Sequence, residues 1–142
     1  MRSAYLEQNS GVTAGFKKKV VNVDAAITLT NDDSGKVYML SATSATVAVT
    51  LPTSLEDGVY YKFIVEEETP SNAITIAAGS AIVSLVMKDA GGNASNSTVG
   101  TQISNLIIGT SAQKGDYIDL MAAGGEWVGE CLSGIDDAVT TS

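Results

Sequence analysis

The chain has 142 residues, 44% hydrophobic and 17% charged, with one cysteine, no histidine and a formal net charge of −8. That length suits a single domain with its own core. The missing histidines exclude His-based acid–base catalysis, Ser–His and Cys–His nucleophile pairs and histidine metal ligation; the lone cysteine excludes an intramolecular disulfide and a multi-cysteine zinc site.

The acidic balance repels phosphate backbones, so nucleic acid is not an expected partner. No apolar h-region stands near the start and no run approaches the ~20 apolar residues of a membrane helix, so the sequence predicts a soluble protein without a secretory signal or a membrane partner.

Residues 1–24 are expected to form an N-terminal arm. Its first nineteen residues carry Arg2, Lys17, Lys18 and Lys19 against Glu7, whereas residues 20–142 carry four lysines against 15 acids. The charge split describes a basic-ended arm joined to an acidic body. From residue 26 the apolar residues alternate with period two, the pattern of half-buried strands. Strands are predicted over 26–30, 36–40, 46–51, 60–66, 72–77, 82–88, 102–108, 117–121 and 126–132. Between them lie turn formers such as Asn31 to Gly35, Glu56-Asp57-Gly58 and Ala123-Gly124-Gly125. Residues 89–101, rich in Gly, Asn and Ser, read as a long loop. No window of eleven or more residues carries a helical apolar stripe. The prediction is an all-β domain over 25–134, an antiparallel sandwich of jelly-roll-like or β-tulip type, followed by a flexible C-terminal tail at 135–142.

The chemistry-bearing candidates each have a plainer reading. Asp32-Asp33-Ser34-Gly35-Lys36 carries the Ser-Gly-Lys of a phosphate loop but lacks its upstream glycine and following helix, and reads better as a hairpin turn. Glu66-Glu67-Glu68, with Asp116 and Asp119 elsewhere, offers carboxylates for Ca²⁺ or acid–base work, yet a run of acids at a strand end reads as a solvated turn. Cys131 has Glu130 as its nearest charge, which disfavours a thiolate, and reads as a small buried hydrophobe. The sequons at Asn93 and Asn96 follow from loop composition. Tyr60 and Trp127 could form an exposed carbohydrate platform, although core packing is the plainer use of so few aromatics. No catalytic residue, metal site or cofactor is expected.

One resemblance rests on a set of short runs. Ile27-Thr28-Leu29-Thr30 with Asp33-Ser34-Gly35-Lys36 and Tyr38, Val49-Thr50-Leu51-Pro52, Tyr61 with Phe63-Ile64-Val65, and Gly115-Asp116-Tyr117-Ile118-Asp119-Leu120 with Trp127-Val128 resemble the head decoration (capsid cement) proteins of tailed bacteriophages. Related patterns occur in phage fibre and appendage modules. The resemblance spans about residues 25–132 and leaves out the arm. It implies a non-enzymatic virion protein on the outer capsid surface. The partners it implies are the major capsid protein and the chain itself, as a homotrimer. The capsid-binding residues are expected in the arm: Arg2, Tyr5, Leu6, Phe16, Lys17, Lys18, Lys19, Val20, Val21 and Val23. There the lysines would meet acidic capsid surface, and Val20 to Val23 would add a strand to a neighbouring sheet. The alternatives are a fibre or appendage module touching host glycan, and a free carbohydrate-binding or small regulatory domain.

Overall fold

The computed structural model describes residues 17–79, 81–89 and 103–142. Among these the chain forms β1 (Val20–Val23), β2 (Ile27–Thr28), β3 (Val37–Leu40), β4 (Val47–Thr50), β5 (Tyr60–Val65), β6 (Ile74–Ala77), β7 (Val83–Lys88), β8 (Asn105–Ile108), β9 (Tyr117–Ala123), β10 (Glu126–Leu132) and β11 (Val139–Thr141). All nine predicted strands are present. They make a six-stranded sheet, β1-β3-β5-β9-β10-β7, and a five-stranded sheet, β11-β8-β6-β4-β2, around one core. The all-β sandwich is therefore as expected, but its sheets are mixed rather than antiparallel.

The path of the chain explains the mixture. Through β6 each strand enters the sheet opposite to the one before it. In this stretch a strand that returns to its own sheet after crossing the other runs parallel to its predecessor there. Hence β1, β3 and β5 are parallel, as are β2, β4 and β6. The later strands reverse: β9 lies antiparallel to β5 and β8 to β6. β9 and β10 are joined by a two-residue hairpin at Gly124-Gly125, with φ of 63° and 82°. Positive φ at both central residues suits the right-handed twist of the flanking strands and favours glycine.

The Asp32 to Lys36 segment is a corner between the sheets, not a hairpin. It holds a short 3-10 turn, Asn31–Asp33, between β2 and β3. The Asp33 carboxylate accepts from the Thr30 N–H and hydroxyl, each at 2.9 Å, and pairs with Lys36. The Lys36 ammonium first, then the Thr30 N–H, hold Asp33 below the usual carboxylate range.

Both ends of the predicted domain move outward. Residues 20–23, assigned to the arm, form the edge strand β1 on the chain's own β3, with Val20 opposite Val37 and Val23 opposite Leu40. Val23 is buried in the core. One side of that strand is thus already paired, and only its outer edge is open. Residues 135–142, expected as a flexible tail, contribute β11 on β8, with Ala138 and Val139 buried. Their short polar look comes from Thr140, which points outward, and from Thr141; Val139 alone was too little pattern to read as a strand. The loop expected over 89–101 lies outside the described residues apart from Asp89.

The core is built from the inward members of each alternation. Tyr38, Tyr61, Phe63 and Trp127 form one aromatic cluster with ring centroids 5.6–6.2 Å apart. Val47, Val49, Ile74, Ile76, Leu106 and Ile108 face them from the five-stranded sheet. The Tyr61 hydroxyl donates to the Thr30 carbonyl at 2.7 Å, and burial lifts its phenol to about 12. At the end of the sandwich near β9, the buried Asp116 carboxylate accepts from the Gln113 and Gly134 N–H groups and the Ser133 hydroxyl at 2.8–3.1 Å. It ties the β10–β11 connection to the start of β9.

Candidate functional site

The two sheets present opposite outer faces. The outward residues of the five-stranded sheet are mostly Thr, Ala and Asn: Thr28, Ala48, Thr50, Thr75, Ala77 and Asn105. The six-stranded sheet turns large apolar groups to solvent. Val20, Tyr60, Val86, Met121 and Leu132 are 37–57% exposed, and all five lie on its outer face. Ile135 is the one other large hydrophobic exposed among the described residues. Scattered exposed hydrophobics are ordinary; five on the outer face of one sheet make that face the candidate interaction surface. Parallel strands are also normally covered on both faces, and here the outward Met39 and Ile64 of the parallel β3 and β5 remain half-exposed.

The polar groups on this face are largely paired within it. Lys62 Nζ lies 3.3 Å from Asp119 and 4.1 Å from the centroid of the Tyr117 ring. The Tyr117 hydroxyl donates to Glu130 at 3.2 Å, and desolvation followed by that bond raises its phenol above the usual value. Glu126 accepts from Ser84 at 3.0 Å. Lys18 Nζ stands 5.6 Å from the Tyr60 ring centroid, within cation–π range. A groove of about 660 Å³ crosses the face between Lys18 and Lys88, with Gly129 in its lining.

No protein-family model and no curated protein matches the chain. The face must therefore be read from its own chemistry.

Several sequence-predicted residues are placed elsewhere. Arg2, Tyr5, Leu6 and Phe16 lie outside the described residues, as do the sequons at Asn93 and Asn96. Lys17, Lys18 and Lys19 are exposed at the entry to β1, next to the apolar face, and the Lys19 carbonyl accepts from the Val37 N–H at 2.9 Å. Val20 belongs to the apolar face, Val21 packs partly against the core and Val23 is in it. Trp127 is fully buried, so the expected platform with Tyr60 does not form. Glu67 turns inward, one carboxylate oxygen accepting from the Ala42 N–H, so the Glu66 to Glu68 run is not wholly solvated. Among the described residues no group of three His, Cys, Asp or Glu could hold a metal ion.

Cys131 is buried, as the sequence suggested. Burial, reinforced by Asp116, pushes its thiol up to about 12. At pH 8 the folded protein therefore holds almost no thiolate, and labelling by an aromatic disulfide reagent is expected to track unfolding. Full labelling of the native protein within the mixing time would contradict this placement.

Sequence reasoning missed the interaction face because alternation identifies which residues point away from the core, not which sheet they join. Tyr60, Val86, Met121 and Leu132 each occupy an outward position of a different strand. The available signal was that outward positions of four predicted strands are apolar where Thr or Lys is usual.

Proposed function

We propose that this chain is a non-enzymatic structural protein that acts by docking, and that it decorates and braces the outer surface of a phage capsid. One observation carries the reading: five of the six large exposed apolar groups among the described residues lie on the outer face of one sheet, whereas the titratable groups are dispersed or paired. Such a face excludes water against a partner over a wide, flat area. A rigid sandwich with a single core suits bracing. The resemblance to capsid cement proteins supplies the capsid as the scaffold. The exposed Lys17 and Lys19 supply cations beside the docking face for an acidic shell.

The test is copy number per particle, by quantitative mass spectrometry of purified virions from the source. A ratio near one per major capsid protein is the expected result. A handful of copies would instead favour a fibre or appendage module, and absence from the particle overturns the virion reading. Reversing the arm charge with Lys17→Glu and Lys19→Glu is expected to lower capsid occupancy at least tenfold, and higher salt is expected to lower the occupancy of the wild type. Unchanged occupancy would remove these lysines from the contact.

A further inference from the structure

We infer that the outer face of the six-stranded sheet is an isologous interface, and that its occupant is a second copy of this chain. The inference rests on reading this face as a docking surface and gives it a second copy of the chain in place of the capsid, leaving the exposed Lys17 and Lys19 at the entry to β1 to meet the shell.

The strand registers carry the argument. Across the sheet, the outward residues fall into rows at right angles to the strands. A two-fold axis parallel to the strands and passing between β5 and β9 exchanges β5 with β9, β3 with β10 and β1 with β7. Applied to the middle row, it sets Lys62 against Asp119 of the second copy and Val20 against its Val86. Glu130 of the second copy, already bonded within its own chain to Tyr117, falls over the covered Val37. In the row toward the β9–β10 hairpin, Tyr60 meets Met121, a favourable sulfur–aromatic pair made twice. In the row on the other side, Ile64 meets Tyr117 and Met39 meets Leu132. Apart from Glu130 over Val37, apolar groups thus meet apolar groups, Lys88 meets the polar Asn22, and the central cation meets the central anion. That self-match is the requirement of an isologous contact.

Charge favours the same occupant. The face carries Lys18, Lys62 and Lys88 against Asp119, Glu126 and Glu130, so it is neutral in a chain of net charge −8. Two acidic bodies repel through their other surfaces but not through this one. A strongly basic partner would be better served by almost any other side of the molecule. The area is also sufficient. Five strand spacings of about 4.8 Å by strands of four to seven residues give a footprint that buries on the order of 1,000 Å² over both copies, the lower bound of a specific interface. Face-to-face sheets at about 10 Å would interdigitate these side chains as a sandwich core does.

The experiment uses the full chain. Sedimentation equilibrium over micromolar to millimolar concentrations is expected to show a reversible dimer. Met121→Lys should weaken it at least a hundredfold, while its circular dichroism and its melting in dilute solution stay those of the wild-type monomer. A one-to-one mixture of Val20→Cys and Val86→Cys proteins should cross-link on oxidation, whereas neither alone should. Within one chain these positions lie on opposite edges of the sheet, about 24 Å apart and far beyond disulfide reach. A monomer at every concentration, a trimer, a dimer indifferent to Met121→Lys, or cross-linking by either single variant alone would each overturn the inference. Capsid binding separates the two readings. A dimer that does not bind capsids keeps this inference and sinks the decoration reading. A monomer that binds them through this face does the reverse.

Discussion

Replacing Gly129 with alanine is expected to destabilise the protein by about 4 kcal/mol or more, a large share of the whole stability of a domain of this size. Gly129 lies in β10 opposite Leu120 of β9. A Cβ there would sit 1.8 Å from the Asp119 carbonyl oxygen and 2.8 Å from its carbon. Those atoms are backbone, so no rotamer change relieves the overlap. β9 and β10 would have to part, and β10 also carries β7 by parallel pairing along its whole length. The damage should therefore spread to the β7 edge and to the interaction face built on these strands. Gly58→Ala is the control: it has positive φ but no heavy atom within 4 Å of the added Cβ, and should cost about 1 kcal/mol. Urea unfolding of both variants compares them directly. Equal midpoints would mean that the β9–β10 approach is looser than described.

Truncation of Trp127 to alanine should cost about 4 kcal/mol, the range for emptying a large aromatic site in a packed core. Its ring is fully buried and lies 5.6 Å from that of Tyr61, which in turn contacts Tyr38 and Phe63. The cavity would open at the end of the aromatic cluster beside Tyr61, under the sheet that carries Tyr60 and Met121 on its other side. Trp127→Phe should be much milder. The indole N–H is buried without a hydrogen-bond partner among the described residues, so phenylalanine removes an unsatisfied donor along with some volume. Tryptophan fluorescence is lost in both variants, so denaturant curves followed by circular dichroism are the appropriate readout. If phenylalanine proved as damaging as alanine, the indole N–H would have to be doing something that its surroundings do not suggest.

The strands themselves were legible because alternation is a local property. Residues 46–51 and 60–66 show it cleanly, and both became strands with the expected inward sets, Val47 and Val49 in one and Tyr61, Phe63 and Val65 in the other. Residues 20–23 were legible as a strand but were expected on a neighbour's sheet, since a short valine run does not say which edge it joins, and β11 escaped because three residues are too few for a period to register. Asn31 to Gly35 was legible as a turn but not as a corner, since turn residues report local dihedrals and say nothing about which sheet the chain enters next. Cys131 was legible from its neighbours. The interaction face was not, because its members are far apart in sequence.

By itself the sequence determined that this is an all-β chain, where most strands start and stop, which side of each strand is buried, and that histidine chemistry and an intramolecular disulfide are closed to it. These follow from composition and from a two-residue period, and both act within a few residues. Tertiary structure alone decided that successive strands alternate between sheets, that β1 and β11 complete those sheets, and that Trp127 is sealed inside while Tyr60 and Met121 stand outside together. Pairing is chosen among strands tens of residues apart by the joint burial of their inward faces. The outer face is what that choice leaves over, and its apolar, charge-balanced surface emerged only once the strands had been set side by side.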